Sequence, residues 1–171
     1  DLASLLRMGE DIYRKLRLRF FRRNPYENGF SIEELFETIK DCVSKEFIAD
    51  TITLPFPSKA VFKRFLNMVF AWRNRRDINH ITGDIHYLGI ILPKKNSILT
   101  IHDCGELENK KGLHKFILWL FWFYWPVKRL KYITVISEQT KIHLLKFVKV
   151  RPEKIHIIPN CLIGEYKIKT S

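Results

Sequence analysis

Apolar residues along this chain follow two alternating patterns, short unbroken runs and recurrences every three or four positions, which predicts strands separated by helices. LRLRFF at 16–21 alternates leucine with arginine before closing on phenylalanine, the pattern of a first strand with one polar face. A turn rich in Asn, Pro and Gly follows. Ser31-Ile32-Glu33-Glu34 then forms a capping box, and Ile32, Leu35, Phe36, Ile39 and Val43 mark one apolar helix face. FIADTITL at 47–54 reads as a second strand stopped by Pro55 and Pro57. From Ser58 to about Arg73 a helix is expected whose broad apolar face (Val61, Phe62, Phe65, Leu66, Val69, Phe70) covers the sheet. Its rim is Lys59, Lys63, Arg64, Arg73, Arg75 and Arg76.

Four further strands are predicted at 77–81, 97–101, 132–136 and 155–158, with a short helix or extended link at 86–92. Residues 1–15 carry a partly helical pattern and read as a leader or first helix. The densest apolar run lies within 113–131 and is broken by Pro126. It falls short of the roughly 20 apolar residues of a membrane span. Burial is the expectation for it, with Trp119, Trp122 and Trp125 as the residues that would face lipid headgroups or a partner domain if it were exposed. Six strands with intervening helices predict an α/β, Rossmann-like domain with a mostly parallel sheet and helices on both faces.

Candidate chemistry concentrates between Asp77 and Cys104, where two apolar strands each run into ionisable residues. The first ends in Thr82, Gly83, Asp84 and His86, the second in His102 and Asp103. Ligands of open α/β sheets sit beyond the carboxyl ends of the strands. His80, Asp84, His86, His102 and Asp103 are therefore expected along one rim.

Composition adds a partner class. A chain of 171 residues, 46% hydrophobic and 13% aromatic, can bury one core, and a formal charge of +12 favours an anionic partner such as a phosphate-bearing ligand, nucleic acid or an acidic membrane. Cys42, Cys104 and Cys161 are odd in number and form no CxxC pair, as in a reduced compartment. No secretory h-region is visible in residues 1–15. The expected place is cytoplasmic, with peripheral attachment to the inner membrane face through the basic helix at 58–76.

The order of HITGD (80–84), LTIHD (99–103), ISEQTK (136–141) and EKIHIIPN (153–160), with SIEELFE (31–37) after the first strand, resembles the N-terminal half of family-4 glycosyltransferases. These are retaining enzymes of two facing Rossmann-like domains, the GT-B fold. The resemblance spans 16–162 and leaves 163–171 as the start of a linker or tail. It implies transfer of a hexose from a nucleotide-sugar donor to the hydroxyl of a glycan or lipid-linked acceptor, without an obligatory metal or other cofactor. By the same resemblance His102 reaches the transferred sugar and acceptor, and Asp103 orients it or binds an acceptor hydroxyl. Gly29 and Phe30 sit in the loop that approaches the donor diphosphate, although relatives commonly have a glycine pair there. His80, Gly83, Asp84 and His86 line the acceptor side, while Ser137, Glu138 and Lys141 form the cleft rim and Asn160 the turn towards the second domain. That second, donor-binding domain does not follow within the 171 residues, so the isolated chain is expected not to turn over.

Three other readings compete. The histidines and aspartates of 80–103 are residue types that ligate zinc or manganese in hydrolases, but their spacing matches no metal signature. Aromatics beside cations would suit a nucleic-acid module, yet no such motif is present and no nucleic acid is expected. A membrane-docking subunit that supplies only the acceptor half of a two-chain transferase is the third.

Overall fold

A computed structural model describes residues 15–24 and 31–160 of the chain. The pattern at 1–14, Gly29, Phe30 and the tail at 163–171 lie outside the described residues.

The elements run β1 (Arg17–Arg22), α1 (Ser31–Val43), β2 (Ile48–Thr53), α2 (Val61–Arg73), β3 (Ile78–Ile81), a 3-10 turn (His86–Ile90) and β4 (Ser97–Ile101). There follow α3 (Gly105–Asn109), α4 (Gly112–Leu118), a π-helical turn (Trp119–Tyr124), α5 (Trp125–Arg129), β5 (Tyr132–Val135), α6 (Glu138–Phe147), a 3-10 turn (Pro152–Lys154) and β6 (Ile155–Ile157). The six strands form one sheet in the order β2-β1-β3-β4-β5-β6, every pair parallel. The predicted Rossmann-like α/β class is therefore the observed one.

The chain steps outward from β1 to β2 and then returns past β1 to β3. With right-handed crossovers that reversal puts α1 on one face of the sheet and the later helices on the other. The two cores agree with this. Leu18, Phe20 and Phe36, joined by Ile32, Ile39 and Val43, fill the α1 side. Phe21, Ile81, Leu99, Ile101, Ile133 and Val135 carry the opposite side, packed with Ala71, Leu88, Trp122, Phe123 and Val127. Each fully buried Leu, Ile, Val or Phe among them contributes about 1.5–3 kcal/mol.

Three sequence expectations change. The polar face of β1 is not solvated: Arg19 is buried, bonded to both oxygens of Asp50 on β2 and donating to the Asn74 carbonyl at 2.7 Å. A buried guanidinium is tolerated because its donors are met.

The second helix starts at Val61 rather than Ser58, whose hydroxyl instead bonds the Tyr87 phenol at 2.8 Å. Its core-facing side is also rotated from the predicted one. Val61, Phe62 and Phe65 are exposed, whereas Asn67 and Ala71 are buried. Asn67 wins the inside position because it accepts from the Phe56 N–H (3.2 Å) and donates to the Phe56 carbonyl (2.8 Å) and to Tyr87 Oη (3.0 Å), completing the backbone of a proline-flanked loop.

Pro126, thirdly, does not interrupt its helix. Backbone dihedrals stay helical through Leu118, Trp119, Tyr124 and Trp125, and the Trp125 N–H reaches back five residues to the Leu120 carbonyl. A π turn is a known way for a helix to absorb an irregularity. The apolar run is split between environments: Trp122, Phe123 and Val127 are buried, while Phe116, Ile117, Phe121 and Trp125 are exposed.

Candidate functional site

Beyond the carboxyl ends of β3 and β4 lies a cavity of about 200 Å³ lined by Arg23, Ile32, Gly83, Asp84, His86, His102, Asp103, Glu106 and Phe123. It opens where the chain reverses direction between β1 and β3, the place where α/β sheets hold ligands. Each wall has a local cause. Gly83 has φ +68°, which turns the chain sharply after β3, and a β-carbon there would be strained. Thr82 fastens the start of that turn, donating its hydroxyl to the Phe21 carbonyl at 2.8 Å. Asp103 accepts from the Gly105 N–H at 2.9 Å and so starts α3, which carries Glu106. Arg23, just past β1, is joined to Glu33 of α1 at 2.9 Å.

His86 is fixed from the rear. Its Nδ1 lies 3.2 Å from the Trp122 carbonyl, and its ring stands edge-on to Phe123 at 5.3 Å. A carbonyl only accepts, so Nδ1 carries the proton and the imidazole is held in one tautomer. Gly89, in the same 3-10 turn, allows this close packing. A β-carbon there would meet Leu130 at 2.9 Å and Pro126 at 3.0 Å.

The electrostatics favour neutral imidazoles beside carboxyl groups. Burial lowers the His86 pKa to about 4, against the pull of the Trp122 carbonyl and Asp103. His102 is lowered too, by burial first and then by His86. Its Nε2 has no hydrogen-bond partner among the described residues. Asp84 reaches solvent but is crowded on its other sides, and that crowding raises its carboxyl, opposed by the Trp122 indole and Arg23. Trp122 Nε1 is near enough to Asp84 to favour its charge but completes no hydrogen bond of good geometry among the described residues. Glu106 is raised as well, by burial and then by Asp84.

Five of the residues expected from sequence, Gly83, Asp84, His86, His102 and Asp103, thus meet around one cavity. His80 does not line it, and the expected rim is corrected there. Its ring points onto the α1 face, between Phe20 (5.2 Å) and Phe36 (5.1 Å), with Nε2 2.8 Å from Thr100 Oγ1. Strand alternation explains this, because only residues past the last paired position of β3 can turn into the crevice.

Ser137, Glu138 and Lys141 also lie off the cavity lining. Ser137 caps α6 by accepting from the Thr140 N–H at 3.1 Å, and Thr140 Oγ1 donates to the His102 carbonyl at 3.1 Å. Asn160 is exposed beyond β6. Arg23, Ile32, Glu106 and Phe123 join the lining without having been expected there from the sequence. Only the position of Arg23 directly after a strand was a visible signal for any of them. Among the described residues, no three His, Cys, Asp or Glu side chains converge closely enough to hold a metal ion.

An all-parallel sheet with helices on both faces and a polar, histidine-bearing cavity at its reversal point makes this a Rossmann-like α/β domain. Residues 40–162 match the family model described as Glycosyltransferase Family 4, and the chain belongs to that family. No curated protein matches the chain. Membership implies a sugar donor and an acceptor as substrates in general terms.

Proposed function

We propose that this chain forms the acceptor-side half of a retaining, two-domain (GT-B) glycosyltransferase that moves a sugar from a nucleotide-sugar to an acceptor hydroxyl. The observation that carries the reading is the make-up of the cavity. Asp84, Asp103 and Glu106 surround His86 and His102, against one guanidinium, Arg23, that already engages Glu33. Carboxylates and neutral imidazoles match sugar hydroxyls donor for acceptor, whereas the same carboxylates repel a diphosphate. The cavity therefore suits the acceptor, and the donor diphosphate falls to the loop at Gly29 and Phe30 and to a second domain. At about 200 Å³ it is smaller than a pocket that encloses a drug-sized ligand. One sugar ring is the natural occupant.

In this reading His102 contacts the reacting sugars, and its unpartnered Nε2 takes a ligand hydroxyl. A buried polar atom left unmet costs about 1–3 kcal/mol, which a hydroxyl would recover. Asp103 binds the acceptor beside it, and His86, locked by the Trp122 carbonyl, fixes the acceptor's orientation. Ser137, Glu138 and Lys141 form the outer rim, adjoining the cavity through the contact of Thr140 with His102. No metal is required. The setting is the cytoplasmic side of a membrane.

The test is ligand-observed NMR of the 171-residue chain with a panel of glycans and with nucleoside diphosphates. The expected result is glycan binding that weakens at least about tenfold in His102→Ala, as loss of a hydrogen bond to a buried partner requires. Nucleoside diphosphate binding at Asp84 and Asp103 in preference to every glycan would overturn the assignment.

A further inference from the structure

We infer that α2 and the helical rod from Gly112 to Arg129 together form a docking face for an anionic lipid bilayer. Both belong to the helix layer opposite α1. They meet where Arg64 of α2 stacks on Trp122 of the rod at 4.5 Å, and Tyr87 bridges them, bonded to Asn67 and 5.0 Å from the Trp122 ring.

This layer keeps large apolar groups in water. Phe62 and Phe65 are 70% and 58% exposed on α2, with Trp72 further along, and Phe116, Phe121 and Trp125 are exposed on the rod. Large apolar side chains kept exposed on two adjoining helices mark an interaction site.

Charge selects the occupant. Residues 51–76 hold six Lys or Arg and no Asp or Glu, and residues 109–137 again hold six and none. Helix α1, on the opposite face, carries Glu33, Glu34, Glu37 and Asp41. These two segments are thus cationic without a counter-charge of their own, whereas α1 carries four carboxylates against one lysine. A surface that offers hydrocarbon and phosphate at the same depth is a bilayer interface, where lysine and arginine snorkel and indoles sit at the headgroup level. Trp72 already has this arrangement, with the Arg75 guanidinium 4.0 Å above its ring. Among the described residues no helix is long and apolar enough to cross a membrane, so the helices lie along the interface. Phe123, a buried residue of the rod, also lines the acceptor cavity, so the same helical rod serves the cavity and the docking face. The docking itself does not depend on the glycosyltransferase reading.

The experiment is co-sedimentation of the chain with phosphatidylcholine vesicles, alone or with a third of the lipid replaced by phosphatidylglycerol, at low and high salt. The expected result is partition only into the anionic vesicles, reversed by salt, with a blue shift of tryptophan emission. Lys63→Glu and the double substitution Phe62→Ser/Phe65→Ser each lower the partition by at least roughly fivefold, about the effect of one cation near an anionic leaflet. Glu34→Lys on the opposite face leaves it unchanged. All these side chains are exposed, and circular dichroism checks that the fold is kept. A chain that stays in the supernatant, binds neutral vesicles equally well, or binds undiminished after the α2 substitutions overturns the inference.

Discussion

His86 Nδ1 lies 3.2 Å from the carbonyl oxygen of Trp122, the carbonyl that residue 126 would serve in a regular α-helix if it were not proline. The imidazole takes over a bond the main chain cannot make, which links the π turn of the rod to the wall of the cavity. Replacing His86 by Ala should lower the free energy of unfolding by about 1–3 kcal/mol, the cost of an unmet buried carbonyl. Pro126→Ala restores an amide N–H and should recover part of that loss. Urea unfolding of the two single variants and the double variant measures the coupling, and strictly additive effects would show that Pro126 and His86 do not share the Trp122 carbonyl.

Asn67 and Phe65 should respond to substitution in the reverse of their hydrophobic order. Asn67→Leu strands the Phe56 N–H and carbonyl and loses the Tyr87 bond, so a loss of about 2 kcal/mol or more is expected. Phe65→Ser removes an exposed ring and should stay within about 0.5 kcal/mol. Thermal or urea unfolding decides the order.

Acid should destabilise the domain before its carboxylates titrate. Burial lowers His86 to about 4 and His80 to about 3, from an ordinary 6.5. Above 6.5 both are neutral in folded and unfolded chains and contribute no pH dependence. Below 6.5 the unfolded chain takes up protons that the folded chain refuses, so stability falls as pH falls towards 4. At about pH 5 the loss amounts to roughly 2 kcal/mol for His86 alone. Asp84 and Glu106, with raised carboxyls, oppose this trend within the carboxylate range. A urea midpoint that stays flat from pH 7 to 5 would contradict the burial of these imidazoles.

Cys42 and Cys104 should separate under alkylation. Cys42 is exposed, while Cys104 is buried and its thiol is pushed up to about 12 by burial and the nearby Asp103 and Glu108. The thiolate is the reactive form, so in the native chain Cys42 reacts with iodoacetamide and Cys104 waits for unfolding. Peptide mapping after a brief native pulse checks this.

The order and type of the main elements were legible in the sequence because they depend on local spacing. LRLRFF, ITVI and the capping box at Ser31 each state a strand or a helix start within a few residues. So was the meeting of Gly83, Asp84, His86, His102 and Asp103, since parallel strands of similar length must bring their following residues to one edge. Tertiary structure alone decided that Asn67 and not Phe65 faces inward, that Arg19 is buried against Asp50, and that His80 packs on α1 while Arg23, Glu106 and Phe123 enter the cavity. It also decided that the rod runs unbroken through Pro126. The physical reason is common to these cases. Each side chain or carbonyl is placed by a partner far away in sequence, such as the Phe56 backbone for Asn67 or His86 for the Trp122 carbonyl, and no periodicity along one segment encodes where that partner will be.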